Sequence, residues 1–81
     1  MEVFIIRYNQ FRILIINRIR ELADNKGISI NHLCKISNVS NSTISKFFND
    51  PNASITVDTL EKLCIGLSIG IDKFFDTPDF N

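Results

Sequence analysis

Tryptophan is absent from this chain, and glycine, proline, cysteine and histidine are scarce, at three, two, two and one among 81 residues. So little glycine and proline excludes a disordered or loop-rich scaffold. Cys34 and Cys64 lie in separate apolar stretches with no C-x-x-C neighbour, and His32 is the single histidine. That set cannot supply the four ligands of a structural zinc site, so no metal is expected and the cysteines read as buried, reduced thiols of a cytoplasmic protein. No apolar run approaches the length of a membrane span. The greasy start "MEVFIIRYNQFRILII" carries Glu2, Arg7 and Arg12 and lacks a small-residue cleavage site, which argues against a signal peptide. There is no glycine-rich phosphate loop, no His–carboxylate cluster and no nucleophile beside a base. No enzyme activity, catalytic residue or cofactor is therefore expected.

Net charge is lacking too, at zero, yet the charges are unevenly spread: residues 1–49 carry seven Lys/Arg and three acids, residues 50–81 two Lys and six acids. That asymmetry suggests a basic working half and an acidic outer half.

What is present is apolar periodicity. A hydrophobic fraction of 44% with seven Phe suffices for one small helical core. Phe11, Ile15, Ile19, Leu22 and Ala23 recur at spacings of 4, 4, 3 and 1, one face of a helix over 11–26, with Ile13, Leu14 and Ile16 off that face. Gly27 stops it in the left-handed conformation that helix C-termini favour. Ser29 offers an N-cap to "INHLCKIS", with Ile30, Leu33 and Cys34 inward. Asn38, tolerant of positive φ, closes that helix, Val39 tucks inward, and Ser40 caps "NSTISKFF". Pro51 interrupts the chain within "NDPNAS". Thr56 caps a fourth helix with Asp58 in its first turn and Val57, Leu60, Leu63, Cys64 and Leu67 inward. "IDKFFD" adds a last short helix, and "TPDFN" reads as a frayed tail. The pattern predicts an all-α chain of five helices, with a four-residue turn between the second and third. Only "EVFIIR" could pair as a strand.

The stretch "NVSNSTISKFFND" puts Ser, Asn and Thr on a short helix that propensity alone does not favour. With Ile44 and Phe47 inward, the outward side chains are Asn41, Ser42, Ser45, Lys46 and Asn49. These suit a polar partner: Asn can pair with adenine, Ser with several base edges, and Lys with guanine or phosphate. Two short helices joined by a tight turn with a left-handed residue and a cap have helix-turn-helix geometry, whose second helix reads the major groove of duplex DNA.

At these residues the chain resembles the Cro/cI-like (XRE) helix-turn-helix repressors. "NRIRELADNKGIS", "LCKISNVSNSTISKFFND" and "TVDTLEKLCIGLSIGIDKFF" carry the resemblance over roughly residues 15–75. It implies a compact five-helix lambda-repressor-like domain at 11–76, between an apolar extension at 1–10 and a tail at 77–81. The implied function is sequence-specific binding of double-stranded DNA by a transcriptional regulator of the repressor type, acting as a homodimer. The resemblance assigns base reading to Asn41, Ser42, Ser45 and Lys46, and phosphate contacts to Ser29, Asn31, Ser40, Thr43 and Asn49. His32 is expected to be exposed near the phosphates. Three features depart from the family pattern: Ile30 stands where a Gln commonly bridges phosphate and recognition helix, Asn38 stands where Gly is common, and "NDPNAS" carries Asp50 and no base.

Val3, Phe4, Ile5, Ile6, Tyr8, Ile13, Leu14 and Ile16 exceed what one core face needs. Either the N-terminal segment folds back over the first and fifth helices, or it is a partner surface. The Phe74/Phe75 end offers a second apolar surface for a dimer. The alternative function is a helix-turn-helix fold used for protein contact, as in an antitoxin or an anti-repressor partner.

Overall fold

The structure, a computed structural model, describes the backbone of residues 2–80 and the side chains of residues 10–80. Five α-helices follow one another, α1 (Glu2–Lys26), α2 (Ile30–Ser37), α3 (Asn41–Asn49), α4 (Val57–Gly66) and α5 (Ile71–Phe74), with a closing 3-10 turn at Pro78–Phe80. No strand occurs among the described residues.

Local capping chemistry sets the boundaries. Gly27 ends α1 at φ +69. Ser29 Oγ accepts the amide of His32 at 3.0 Å, Ser40 Oγ that of Thr43 at 3.2 Å, and Thr56 Oγ1 that of Thr59 at 3.1 Å. Each cap satisfies one amide that the first turn of its helix cannot bond internally. Asn38 sits at φ 57, ψ 42 and its amide turns back onto the end of α2. Three residues, Asn38, Val39 and the cap Ser40, link α2 to α3 rather than four, and α3 begins at Asn41. At this left-handed position a β-branched side chain meets its own backbone. Asn38→Val is therefore expected to cost about 1–2 kcal/mol, while Asn38→Gly is neutral or mildly stabilising. Equal melting temperatures for the three proteins would refute this account of the turn.

The core gathers one stripe from each helix. Ile15, Ile16, Ile19 and Ala23 of α1 meet Leu33 and Cys34 of α2, and Ile44 and Phe47 of α3. Leu60, Leu63 and Cys64 of α4, the following Leu67, and Phe74 of α5 complete it. Burial raises the pKa of both thiols, with Glu61 adding to the effect at Cys64. Both cysteines are reduced. α2 and α4 approach closely because Gly66 faces Ser37: a Cβ at Gly66 would run into the Ser37 hydroxyl and stand 3.1 Å from its Cβ.

Several sequence expectations are corrected. "EVFIIR" is not a strand: residues 2–10 are helical and continuous with α1, so that helix starts at Glu2 rather than Phe11. The side chains of Val3, Phe4, Ile5, Ile6 and Tyr8 lie outside the described residues. Ile16 is buried, because α1 is covered over a wider arc than the single face of its apolar spacing. Val57 is 72% exposed, since α4 begins beyond the surface it packs on, and Ile55, just before the cap, packs against the core instead. Val39 is half-buried rather than fully inward.

The tail is not frayed through Phe80, whose ring meets Phe75 edge-on at 5.0 Å and Phe11 at 5.9 Å. Asn81 lies outside the described residues. Phe74 is wholly buried and Phe75 half-buried under this aromatic cluster, so the Phe74/Phe75 end is not the open apolar surface it promised to be. No helix among the described residues is long and apolar enough to cross a membrane.

Candidate nucleic-acid interface

α3 has two opposite faces. Ile44 and Phe47 enter the core, while Asn41, Ser42, Thr43, Ser45, Lys46 and Asn49 are all exposed. Ile44 and Phe47, three apart, share the inward face; Ser42, Ser45, Lys46 and Asn49 fall on the opposite side, and Asn41 and Thr43 on the flanks between. At the N-terminal end the hydroxyls cluster: Ser40 Oγ lies 2.6 Å from Thr43 Oγ1 and 3.3 Å from Ser42 Oγ. Near the other end, Asn49 Nδ2 donates to Ser45 O at 2.8 Å and to Ser45 Oγ at 3.2 Å. The outer row is thus partly ordered by its own hydrogen bonds before any partner arrives.

Two clefts flank this row. One, of about 580 Å³, is bounded by Asn31, His32 and Lys35 of α2 and by Ser40 and Asn41 at the start of α3. It brings together residues assigned separately to phosphate and base contacts. The other, of about 360 Å³, lies between Thr43 and Lys46 of α3 and the following loop, with Asp50, Asn52 and Ser54. There Asp50 Oδ1 accepts the Asn52 amide at 2.9 Å, which shapes the loop and leaves a carboxylate beside Lys46. Ser29 stands apart from both clefts at the α2 cap, exposed, with its hydroxyl engaged by His32. Lys35 was not singled out by its sequence position. The signal available was its spacing from Asn31 on α2, which places both on one helix face.

The charge asymmetry of the sequence does not become a simple basic face. Arg12 is 6% exposed; its Nε and Nη2 donate to the carbonyls of Phe47 and Phe48, each at 3.0 Å. Arg18 donates from Nε to Phe74 O at 2.8 Å and from Nη2 to Lys73 O at 3.0 Å, and pairs with Glu21. Arg20 lies over the Phe48 ring at 4.7 Å. Three of the arginines that made the first half basic are thus engaged in holding helices together. The cations that line the clefts are Lys35 and Lys46.

The comparisons with known proteins agree with this geometry. A family profile described as the Cro/C1-type HTH DNA-binding domain matches residues 18–79. Among solved structures, the chain is similar to the protein described as prophage Lp1 protein 11. That similarity has a TM-score of 0.79 and 26% sequence identity over 86% of this chain and 92% of the other. No curated protein matches.

Proposed function

Because the chain belongs to the Cro/C1-type helix-turn-helix DNA-binding domain family, we propose that it is a sequence-specific regulator of the repressor type that lays α3 in the major groove of double-stranded DNA. The observation that carries this reading is the outward row of α3. Asn41, Ser42, Ser45 and Lys46 project from a helix whose other face is locked into the core by Ile44 and Phe47. In this role those four side chains read base edges. Ser29, Asn31, Ser40, Thr43 and Asn49 hold phosphates, helped by the amides at the start of α2. No catalytic step is part of the proposal.

Selection of bound sequences from a random duplex pool gives the preferred site. On it, Asn41→Ala is expected to cost about 1–3 kcal/mol and to relax preference at one base position. A uniform loss on all sequences would instead make Asn41 a phosphate contact. With Arg12 and Arg18 turned onto carbonyls, few phosphates are neutralised per subunit. A shallow salt slope of about two to four ion equivalents per subunit follows.

One recognition helix spans only a few base pairs, so useful specificity requires two copies on half-sites about one helical turn apart. Phe11 and Ile13 are 46% and 44% exposed and continue the apolar sequence of the N-terminal part of α1. They favour that region as the homodimer surface. Deleting residues 1–8 is then expected to weaken self-association in sedimentation and operator binding together; an unchanged dimer would exclude this surface. The same exposed pair also favours a second reading, in which the fold serves protein contact. Absence of duplex binding even at low salt would select it.

A further inference from the structure

α3 is held at its two ends in different ways. Its N-terminal end is closed locally, by Ser40. Its C-terminal end is held from a residue 35 positions away: Arg12 Nε reaches Phe47 O and its Nη2 reaches Phe48 O. The last carbonyls of a helix have no donor within the helix and carry partial negative charge, so a buried cation suits them. A guanidinium is a rigid planar fork, and two bonds from it define rotation as well as distance. The Arg12 guanidinium also lies 5.9 Å from the centre of the Phe47 ring, and Arg20 covers the Phe48 ring beside it. Both carbonyls adjoin the outward residues Ser45, Lys46 and Asn49. With side-chain tips about 6 Å from the helix axis, a rotation of about 10° moves them by about 1 Å. Base-edge hydrogen bonds do not tolerate such a shift.

We infer that Arg12 is a positioning residue for base readout: its fork onto Phe47 O and Phe48 O sets the rotation of α3, so that the outer row meets base edges in register. The inference rests on the DNA-reading role proposed above. Arg12 is buried, so in this role it contributes to discrimination between sequences and not to general attraction to phosphate.

The test uses the full chain with Arg12→Lys, at a temperature where circular dichroism shows it folded. Its affinity is measured for the duplex selected by the wild-type protein and for a random-sequence duplex of equal length. Affinity for the selected duplex is expected to fall about tenfold, the order of one lost base contact. Affinity for the random duplex stays within about twofold and the salt slope is unchanged, because no phosphate contact is removed. A lower melting temperature with discrimination intact overturns the inference, leaving Arg12 as structural support alone. Equal weakening on both duplexes with a slope reduced by about one also overturns it, since that marks a phosphate contact. If Arg12→Lys does not fold, the wild-type protein supplies the readout through hydrogen exchange at the Arg12 Nε–H. Exchange about threefold slower on the selected duplex than on the random one supports the inference, and equal exchange on both overturns it. A wild-type protein with no sequence preference removes the DNA-reading role and this inference together. Preference retained by Arg12→Lys removes only the inference.

Discussion

Phe74→Ala is expected to lower the free energy of unfolding by about 3–5 kcal/mol, the usual range for emptying a buried aromatic site. Phe74 is completely buried, edge-on to Phe75 at 5.0 Å and tilted against Phe80 at 6.4 Å. It belongs to a helix of four residues, far too short to persist without packing. Its carbonyl accepts Arg18 Nε from α1, so the ring and the backbone of this residue tie the end of the chain to its start. Loss of the ring opens a cavity and releases α5, and the Phe75 and Phe80 rings lose a shared neighbour. For a domain of this size, whose total stability is on the order of 4–12 kcal/mol, such a loss approaches the unfolding threshold. Urea denaturation of Phe74→Ala measures it, with Val57→Ala as the control. Val57 is 72% exposed, and its truncation should change stability by less than about 0.5 kcal/mol. If the two variants lose equal stability, α5 does not close the core.

Arg12→Met is expected to cost about 2–3 kcal/mol, a figure set by two opposing effects. Each hydrogen bond from a charged donor contributes about 1.5–3 kcal/mol, and removing the donor leaves the buried Phe47 carbonyl unsatisfied. Against this, the variant no longer desolvates a guanidinium, and methionine fills part of the same volume. The lost bonds win because truncation removes one side of the interaction and strands the other. Equilibrium denaturation gives the total. Amide exchange should show the loss concentrated at the C-terminal turn of α3, where the carbonyls are released. A variant as stable as the parent, with α3 equally protected, would show that the arginine adds no net stability.

The comparison of Asn38 with Ser68 shows how far the sequence was legible. Both adopt left-handed φ, at 57 and 58, after α2 and α4 respectively. The first was readable, because Asn tolerates that region and a helix end with a following cap surrounded it. The second was not, because Ser carries no such preference and the packing around Leu67 imposes the turn. The same divide separates Leu60 from Val57. Both have helical spacing on one face, but spacing does not say where the opposing surface ends.

The arginines show the divide most clearly. Counted along the chain, Arg12, Arg18 and Arg20 make the first half basic and point to phosphate. In the fold, two of them bond helix-end carbonyls 35 to 56 residues away, and the third covers an aromatic ring. Their partners are backbone oxygens, which every residue has, so no side-chain pattern could reveal them. The caps at Ser29, Ser40 and Thr56, the stop at Gly27 and the polar outer row of α3 were readable because their causes lie within about one helical turn. Burial limits, the seating of Phe80 and the engagement of the arginines were decided only by tertiary structure, because each depends on a surface brought from a distant part of the chain.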